Sequence, residues 1–329
     1  MTAVESIGVI GGGAWGTALA QVAAAGGRDV LLWAREDEVV GAINNGHENT
    51  AFLPGVPLAE SIRATQDLAA LSTRDALLVV APAQHVRTVL TQVVQCGQPL
   101  VLCAKGIEAG SMKLLTEVAA EVQPASPIAV LSGPTFAHEV AAGLPTAVTL
   151  AAGDEELAQA IMTRLALPAF RPYWSDDLVG AEIGGAVKNV LAIACGVVEG
   201  RGLGQNARSA LISRGFAEMQ RFGVARGARP ETLAGLSGLG DLVLTCSSRS
   251  SRNFSLGFGL GQGQKAAELM ADRRTVAEGA FTAPVLREAA RLAGVDMPIV
   301  GAVCDLLDGT ADIGAVVEGL LSRPLKAEH

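Results

Sequence analysis

Two patterns of hydrophobic positions divide the chain. Up to about residue 175, short and nearly continuous apolar runs alternate with segments of helical length. Parallel strands that are covered on both faces have such continuous apolar sequences, so the pattern predicts a doubly wound α/β sheet. The predicted strands are 6–10, 29–34, 76–80, 99–104, 127–132, 146–151 and 170–174.

Strand-like runs largely disappear from about residue 179 onward, and long helical patterns replace them. A chain of 329 residues is long for a single core, which favours two domains. We therefore expect an α/β domain over residues 1–178 and an all-helical domain over residues 179–329. The predicted helices are 180–200, 206–226, 282–293 and 298–308.

Composition and charge exclude several functional classes. The net charge of −8 argues against a nucleic-acid partner, which would require a basic face. The five cysteines form no CxxC pair, which is typical of reduced thiols in a cytosolic protein, and the four histidines lack metal-ligand spacing. Because the first apolar run is short and follows Glu5, we expect no signal peptide. Lys188 and Asn189 interrupt the longest apolar stretch. We expect a cytoplasmic protein without a metal or an integral membrane segment.

A glycine-rich loop follows the first predicted strand, in "GVIGGGAWGTALA". Gly11, Gly13 and Gly16 stand in GxGxxG order, where they allow a tight turn, close approach of a pyrophosphate and close helix–strand packing. Amides around Ala14 and Trp15, at the start of the next helix, would face the phosphates. The sequence therefore predicts that the first domain is a Rossmann domain that binds a dinucleotide.

The residues at the end of the second strand indicate which nicotinamide cofactor is bound. In "LLWAREDE", Arg35 occupies the region where this fold holds the adenine ribose, and a guanidinium there can bind a 2′-phosphate. Glu36 follows at once and could instead accept the ribose hydroxyls of NAD. Because adjacent residues at a strand end usually point apart, we expect NADPH to be favoured modestly, with NAD left open. Arg35 could also be a simple exposed residue at a helix start.

A lysine lies inside the apolar helical run "IGGAVKNVLAIACGVV". At helical spacing Lys188 is flanked by Gly184, Gly185 and other small residues. Either the lysine reaches water past small neighbours, or something other than a side chain occupies that face.

Two further strands end in polar groups. Lys105 follows the strand of "VLCAKGIEAG", and "VLSGPTFAHE" ends a strand with Ser132, Gly133 and Thr135. Ligands of doubly wound sheets bind beyond the carboxyl ends of the strands, so these groups are expected to lie near the dinucleotide. Thr135 could cap the helix that follows.

The segment 235–257, "GLSGLGDLVLTCSSRSSRNFSLG", combines several polar groups. Asp241 and Thr245 would share one face of a helix because they are four residues apart. A serine-rich loop with two arginines follows, and then Asn253. Hydroxyls, a guanidinium, an amide and a helix start would together bind a phosphate, although a flexible surface loop has the same composition.

These motifs together resemble those of the bacterial NAD(P)-dependent glycerol-3-phosphate dehydrogenases, from residue 6 to about 323. The similarity includes "GGGAWGTALA", "AFLPGVPL", "AKGIE", "SGPTFAHEVAAGLPTA", "GGAVKNV", "NARSALISRGFAEM", "GLGDLVLTC", "SRN" and "AEG". The resemblance implies reversible reduction of dihydroxyacetone phosphate to glycerol 3-phosphate with NADP or NAD, in support of phospholipid synthesis. It also implies an all-helical second domain like that of 6-phosphogluconate dehydrogenase, and we expect a homodimer.

The resemblance also implies residue roles. Lys188 is similar to the proton donor at the C2 oxygen of the substrate, with Lys105, Asp241, Asn189 and Thr245 as further members of the catalytic site. The implied substrate contacts are Lys105, Gly133, Thr135, Lys188, Asp241, Ser251, Arg252 and Asn253. The implied cofactor contacts are Ala14, Trp15, Arg35, Lys105, Ala137, Arg252, Val276 and Glu278. This chain departs from many relatives at Glu36, where they carry a basic residue, and at "PAQHV" (82–86).

From these roles we hypothesise that burial and nearby Lys105 lower the proton affinity of Lys188, that Asp241 holds its ammonium, and that the small residues around it leave room for a three-carbon substrate. Two alternatives stay open at this point. Ketopantoate reductases and β-hydroxyacid dehydrogenases also join a Rossmann domain to a lysine-bearing helix. A non-catalytic nucleotide sensor would keep the glycine loop without the chemistry.

Overall fold

The structure, a computed structural model, describes residues 5–271 and 277–322. Its strands are β1 (Ser6–Ile10), β2 (Asp29–Trp33), β3 (Glu48–Asn49), β4 (Leu53–Pro57), β5 (Arg63–Thr65), β6 (Ala76–Val79), β7 (Leu100–Leu102), β8 (Ile128–Ser132), β9 (Thr146–Ala152) and β10 (Phe170–Ser175). Its α-helices are α1 (Ala14–Ala25), α2 (Asp37–Gly46), α3 (Val86–Gln92), α4 (Leu115–Val122), α5 (Ala137–Ala141), α6 (Glu155–Leu165), α7 (Leu178–Gly200), α8 (Gly204–Ala225), α9 (Pro230–Leu233), α10 (Asp241–Cys246), α11 (Arg252–Gly261), α12 (Ala266–Leu269), α13 (Glu278–Leu292), α14 (Pro298–Asp308) and α15 (Ile313–Leu321).

The main sheet has the strand order β10-β9-β8-β7-β6-β1-β2-β5, and β3 and β4 form a separate antiparallel pair. All neighbours in the main sheet are parallel except β8 and β9. The predicted doubly wound parallel sheet is therefore confirmed, with this one antiparallel pair as the difference. The connection from β8 to β9 contains only the short helix α5, which packs on α1. A parallel return normally needs a longer helical crossover over the sheet, such as α6 provides between β9 and β10.

Both faces of the sheet are covered by apolar side chains, as the continuous apolar runs predict. Along β6, Leu78 belongs to one hydrophobic cluster, whereas Leu77 and Val79 belong to another. Val9 and Ile10 of β1 divide in the same way. Since successive side chains of a strand point to opposite faces, these two clusters are the two cores that flank the sheet.

Helix α7 forms the centre of the second half of the chain. It contacts α8, α10, α11, α13 and α14. Within the described ranges it is the one helix long and apolar enough to cross a membrane, and almost all of that stretch is buried inside the protein. It is therefore a core helix around which the other helices assemble. No strand follows β10 in the part of the chain that the structure describes.

Helices α7 and α11 touch backbone to backbone. A Cβ on Gly196 would collide with the carbonyl oxygen of Phe254, and a Cβ on Gly257 would collide with that of Ile193. The four predicted long helices are present, with starts up to four residues earlier than predicted. Of α11, only its start after the serine-rich loop was predicted. Its ten residues include three glycines, which disfavour an isolated helix, so packing on α7 supplies its stability.

Candidate active site

Lys188 lies on the inner face of α7 and is only 6% exposed. Its Nζ donates hydrogen bonds to Oδ1 of Asp241 at 2.8 Å and to Oγ1 of Thr245 at 2.9 Å. The interpretation of Lys188 as a surface-seeking side chain is therefore wrong. Asp241 and Thr245 lie on one face of α10, as their spacing predicts.

Asp241 is fully buried and binds two lysines at once. Its second oxygen, Oδ2, accepts a hydrogen bond from Nζ of Lys105 at 2.7 Å. Lys105 also donates to the carbonyl oxygen of Gly133 at 3.2 Å. The site thus joins the ends of β7 and β8 to the helices α7 and α10. A buried carboxylate with two ammonium partners leaves this cluster with a net positive charge, which suits an anionic ligand.

The glycines beside Lys188 allow this cluster to form. A Cβ on Gly184 would collide with the carbonyl oxygen of Ser237, which lies in a π-helical stretch, Leu236–Gly240, that leads directly into α10. A Cβ on Gly185 would lie 3.1 Å from Cγ of Lys105. Backbone therefore occupies the face at Gly184, as one of the two sequence interpretations proposed. The hypothesis that these glycines leave room for a substrate is wrong, because their space is filled.

Burial lowers the pKa of Lys188 to about 8. The negative charge of Asp241 acts in the opposite direction, and the positive charge of Lys105 lowers the pKa of Lys188 further. The hypothesised direction and both of its causes are confirmed. Near neutral pH the side chain can therefore exchange a proton in either direction.

The predicted helix start after the serine-rich loop is confirmed. Ser251 is the N-cap of α11, and its Oγ accepts a hydrogen bond from the backbone N–H of Phe254 at 3.2 Å. Asn253 uses its amide within the protein: Nδ2 donates to Oδ1 of Asn189 at 3.0 Å, and Oδ1 accepts from the N–H of Gly279 at 2.8 Å. Asn253 thereby ties α11 to α7 and to the start of α13.

Charges connect the start of α11 with the lysine cluster. Burial raises the pKa of Glu278, the first residue of α13, while the positive charges of Arg252, Lys105 and Lys188 act in the opposite direction. Arg252 is exposed, at the first position of α11. The other arginine of the serine-rich loop, Arg249, instead pairs with Glu199 and stacks on the ring of Phe258. Val276 lies outside the described residues.

The glycine loop has the shape that a dinucleotide requires. Gly11 adopts a φ of +127°, which glycine tolerates, and a Cβ on Gly16 would collide with the carbonyl oxygen of Gly11. Gly13, the N-cap of α1, has open space where its side chain would be, and no acidic residue occupies the first turn of α1. The residues present therefore fit a pyrophosphate against the start of α1.

Arg35 and Glu36 bind each other. Nη2 and Nε of Arg35 lie 2.9 and 3.2 Å from Oε1 of Glu36, and the side chains are 79% and 38% exposed. The expectation that they point apart is wrong. Glu36 is already the N-cap of α2, so the alternation of a strand no longer applies there.

Three other residues near these strand ends have specific surroundings. The hydroxyl of Thr135 donates to the carbonyl oxygen of Gly133 at 3.3 Å, and α5 has no side-chain cap, so the predicted capping role is wrong. Ala137 begins α5 and packs partly against the sheet core. The hydroxyl of Ser132 is buried without a hydrogen-bond partner among the described residues, as is the indole N–H of Trp15.

Sequence reasoning missed two residues that hold the binding loops. The amide of Gln84 donates to the carbonyl oxygen of Ile107 at 2.8 Å and accepts from the N–H of Ala109 at 2.9 Å. It thus fixes the loop that begins at Lys105, and "PAQHV" was noted only as a departure from relatives. Asn49, on β3, contacts the glycine loop in a similar way. An asparagine in a two-residue strand gives no sequence signal for such a role.

Known proteins resemble this chain over almost its whole length. Family models described as the N-terminus and the C-terminus of NAD-dependent glycerol-3-phosphate dehydrogenase match residues 6–158 and 177–318. The chain is 62% identical to glycerol-3-phosphate dehydrogenase (NAD(P)+) 1 of Sphingopyxis alaskensis over 100% of this chain and 99% of that protein. It is 65% identical to glycerol-3-phosphate dehydrogenase (NAD(P)+) of Erythrobacter litoralis over 98% of each. The crystal structure of glycerol-3-phosphate dehydrogenase from Coxiella burnetii superposes with a TM-score of 0.93 at 39% identity, covering 97% of this chain and 99% of that one.

Proposed function

Because the chain belongs to the family of NAD-dependent glycerol-3-phosphate dehydrogenases, we propose that Lys188, Asp241 and Lys105 form its catalytic centre. The protein is an oxidoreductase that reduces dihydroxyacetone phosphate to glycerol 3-phosphate with NADPH or NADH, and it catalyses the reverse reaction. The observation that carries the catalytic assignment is the buried ammonium of Lys188, which Asp241 and Thr245 hold with a pKa of about 8.

Reduction of a ketone requires a proton at the oxygen as the hydride reaches the carbon. Bound NADPH or NADH supplies that hydride. Lys188 donates the proton to the C2 oxygen, and in the oxidation direction its neutral amine accepts the proton from the C2 hydroxyl. Asp241 keeps Nζ in position and is available to neutralise the ammonium when it re-forms. Thr245 orients the same nitrogen, and Asn189, the next residue on α7, anchors Asn253.

Lys105 has two proposed tasks. Its ammonium lowers the pKa of Lys188, which favours proton release to the substrate. It also places a second positive charge where oxygen becomes negative in the transition state. Gly133 and Thr135 lie beside it at the end of β8 and are the proposed contacts for the substrate from that side.

The start of α11 is the proposed phosphate site. Arg252 presents an exposed guanidinium there, and N–H groups of the first helical turn point in the same direction as the positive end of the helix dipole. Ser251 and Asn253 form the ordered part of this site, since both are buried and hydrogen-bonded. The phosphate would thus be anchored away from the reacting carbon, which orients that carbon toward Lys188.

The cofactor is proposed to lie along the carboxyl ends of the strands. The glycine loop and the amides of Ala14 and Trp15 would hold the pyrophosphate. Arg35 would meet the adenosine end, and a modest preference for NADPH rests on its guanidinium. Its pairing with Glu36 works against that preference. The remaining proposed cofactor contacts are Lys105, Ala137, Arg252, Val276 and Glu278.

Family membership leaves the two other sequence-based functions, a ketopantoate or β-hydroxyacid type of reductase and a non-catalytic sensor, without support. We further propose that the enzyme acts in the cytoplasm, since all five cysteines are free and four are buried. The expected homodimer follows from the family resemblance, and light scattering on the purified protein tests it.

One assay tests the proposed function as a whole. Oxidation of NADPH and of NADH is followed at 340 nm with dihydroxyacetone phosphate and, separately, with dihydroxyacetone. We expect turnover with the phosphorylated ketone and at most weak turnover without the phosphate. Equal kcat/KM values for the two ketones would contradict the phosphate site, and no turnover with either would contradict the function.

A further inference from the structure

Asn49 is buried beneath the glycine loop, with none of its surface exposed. Its Nδ2 donates to the carbonyl oxygen of Gly12 at 2.8 Å and to Oγ1 of Thr17 at 2.7 Å. Its Oδ1 accepts from the backbone N–H of Phe52 at 3.1 Å. Because that N–H can only donate, the amide must present its oxygen to Phe52 and its NH₂ group to the loop.

Thr17 extends the contact to the next peptide group. Its hydroxyl donates to the carbonyl oxygen of Gly13 at 2.9 Å, and that oxygen also accepts the first hydrogen bond of α1, from the N–H of Thr17. The carbonyl of Gly12 lies before the helix. Among the described residues the structure gives it no hydrogen-bond donor other than Asn49.

The direction of these carbonyls determines the direction of two N–H groups. In a planar trans peptide the C=O and the N–H point in opposite directions. Holding the oxygens of Gly12 and Gly13 toward the interior therefore turns the N–H groups of Gly13 and Ala14 away from it. Gly13 is exposed and has open space at its Cβ position, so the outward side of the loop is accessible.

We infer that Asn49 and Thr17 are positioning residues that aim the N–H groups of Gly13 and Ala14 at the pyrophosphate of the cofactor. The inference rests on the cofactor position proposed above. Asn49→Ala releases the Gly12 peptide to rotate, so the donor at Gly13 must be ordered again at each binding event. Asn49→Asp places a carboxylate oxygen against the Gly12 oxygen and a negative charge under the pyrophosphate. This substitution should therefore weaken binding of the pyrophosphate more than Asn49→Ala does.

The test measures binding of ADP-ribose, which carries the pyrophosphate but undergoes no redox chemistry. Titration calorimetry on the full-length protein gives Kd for wild type, Asn49→Ala, Asn49→Asp and the control Asn44→Ala. Asn44 also makes two amide hydrogen bonds, but to both backbone groups of Ala64 on β5. We expect Kd to rise about tenfold in Asn49→Ala, further in Asn49→Asp, and less than about twofold in Asn44→Ala.

Kinetic measurements distinguish a loss of orientation of the loop N–H groups from a general destabilisation of the protein. With saturating NADH, KM for dihydroxyacetone phosphate should stay within about twofold of wild type in Asn49→Ala, because its substrate contacts lie on other elements. Equal Kd values for wild type and Asn49→Ala, or equal weakening in Asn49→Ala and Asn44→Ala, would overturn the inference. If wild type itself does not bind ADP-ribose, the proposed cofactor position fails and the inference fails with it.

Thr17 provides a second route if the Asn49 variants do not fold. Thr17→Val keeps the shape and removes the hydroxyl, whereas Thr17→Ser keeps the hydroxyl. We expect ADP-ribose to bind severalfold more weakly to Thr17→Val and nearly normally to Thr17→Ser. The same Kd for both Thr17 variants would overturn the inference.

Discussion

The cluster around Lys188 and the pair of Arg35 with Glu36 are both ionic, yet they are built in opposite ways. Lys188 is 6% exposed and meets partners 53 and 57 positions away in the sequence. Arg35 is 79% exposed, and its partner is the next residue. The first arrangement exists only in the folded protein, whereas the second needs little more than a local stretch of chain.

This contrast indicates which properties of the enzyme are fixed and which can change. Removing one partner of a buried ionic group leaves an uncompensated charge, so its geometry cannot vary without loss of stability or function. An exposed pair contributes about 0–1 kcal/mol and rearranges easily when a ligand offers a better partner. We therefore expect the chemistry at C2 to depend strictly on the buried cluster and cofactor preference to depend weakly on the exposed pair.

The strongest test removes the proposed proton donor. Lys188→Met keeps the side-chain length, and we expect kcat to fall by about 10²–10⁴-fold because general acid catalysis is lost. The Kd for ADP-ribose should change little, since the proposed pyrophosphate site lies on α1. Lys265→Met, at an exposed lysine, serves as the control. A Lys188→Met variant with more than half of wild-type activity would exclude Lys188 as the acid.

The next test removes the proposed phosphate ligand. Arg252→Ala should lower kcat/KM for dihydroxyacetone phosphate by about 10–100-fold, because a charge-assisted hydrogen bond to the phosphate is lost. The weak rate with dihydroxyacetone should stay nearly constant. Arg249→Ala, in the same loop, is the matched control, since Arg249 is engaged with Glu199 and Phe258. Equal losses with both ketones would mean that Arg252 serves only the cofactor or the fold and does not bind the substrate phosphate.

The pH dependence of the rate tests the environment of the lysine. With a pKa of about 8 for Lys188, kcat/KM for reduction should fall about tenfold per pH unit above 8, because the acid must be protonated. For oxidation of glycerol 3-phosphate it should rise up to pH 8 and then level off. Lys105→Met should move both midpoints upward, since the charge of Lys105 lowers the pKa of Lys188. Unmoved midpoints would show that Lys105 acts on the substrate alone.

The smallest expected effects concern cofactor preference. Arg35→Ala should raise KM for NADPH about tenfold and leave KM for NADH almost unchanged, because only NADPH carries the 2′-phosphate. Glu36→Gln should lower KM for NADPH a few-fold by releasing the guanidinium. A wild-type preference for NADH, or an equal change of both constants in Arg35→Ala, would leave Glu36 as the residue that contacts the ribose.

Local patterns in the sequence are sufficient for the features that depend on local chemistry. Continuous apolar runs identify the strands around β6, and the spacing of Asp241 and Thr245 identifies a helical face that bears on Lys188. The glycine loop is recognisable because each of its glycines allows a backbone conformation or a close approach that the turn requires. The proposed roles of Lys188 and Arg252 came from the family resemblance. A lysine in an apolar helix can be either a surface residue or part of a buried site, and the sequence does not distinguish the two.

Features that depend on distant contacts could not be predicted in this way. Asn49 and Gln84 bind backbone groups of other segments. Every residue has these backbone groups, so the sequence does not show which of them a side chain will bind. The antiparallel placement of β9 accompanies a short connection in which α5 packs on α1, and the composition of β9 does not show it. Gly184 and Gly185 were interpreted as space for a ligand because a sequence does not show what fills a gap.

The backbone contact between α7 and α11 has a consequence for substrate size. With glycines at the crossing, no side chain can act as a spacer between the helix that carries Lys188 and the helix that starts at Arg252. The distance between these two helices is therefore fixed. In the proposed assignment, Lys188 contacts the C2 oxygen and the start of α11 holds the phosphate. Only a molecule whose ketone and phosphate are the right number of bonds apart could then contact both. On this view, the enzyme selects its substrate by length.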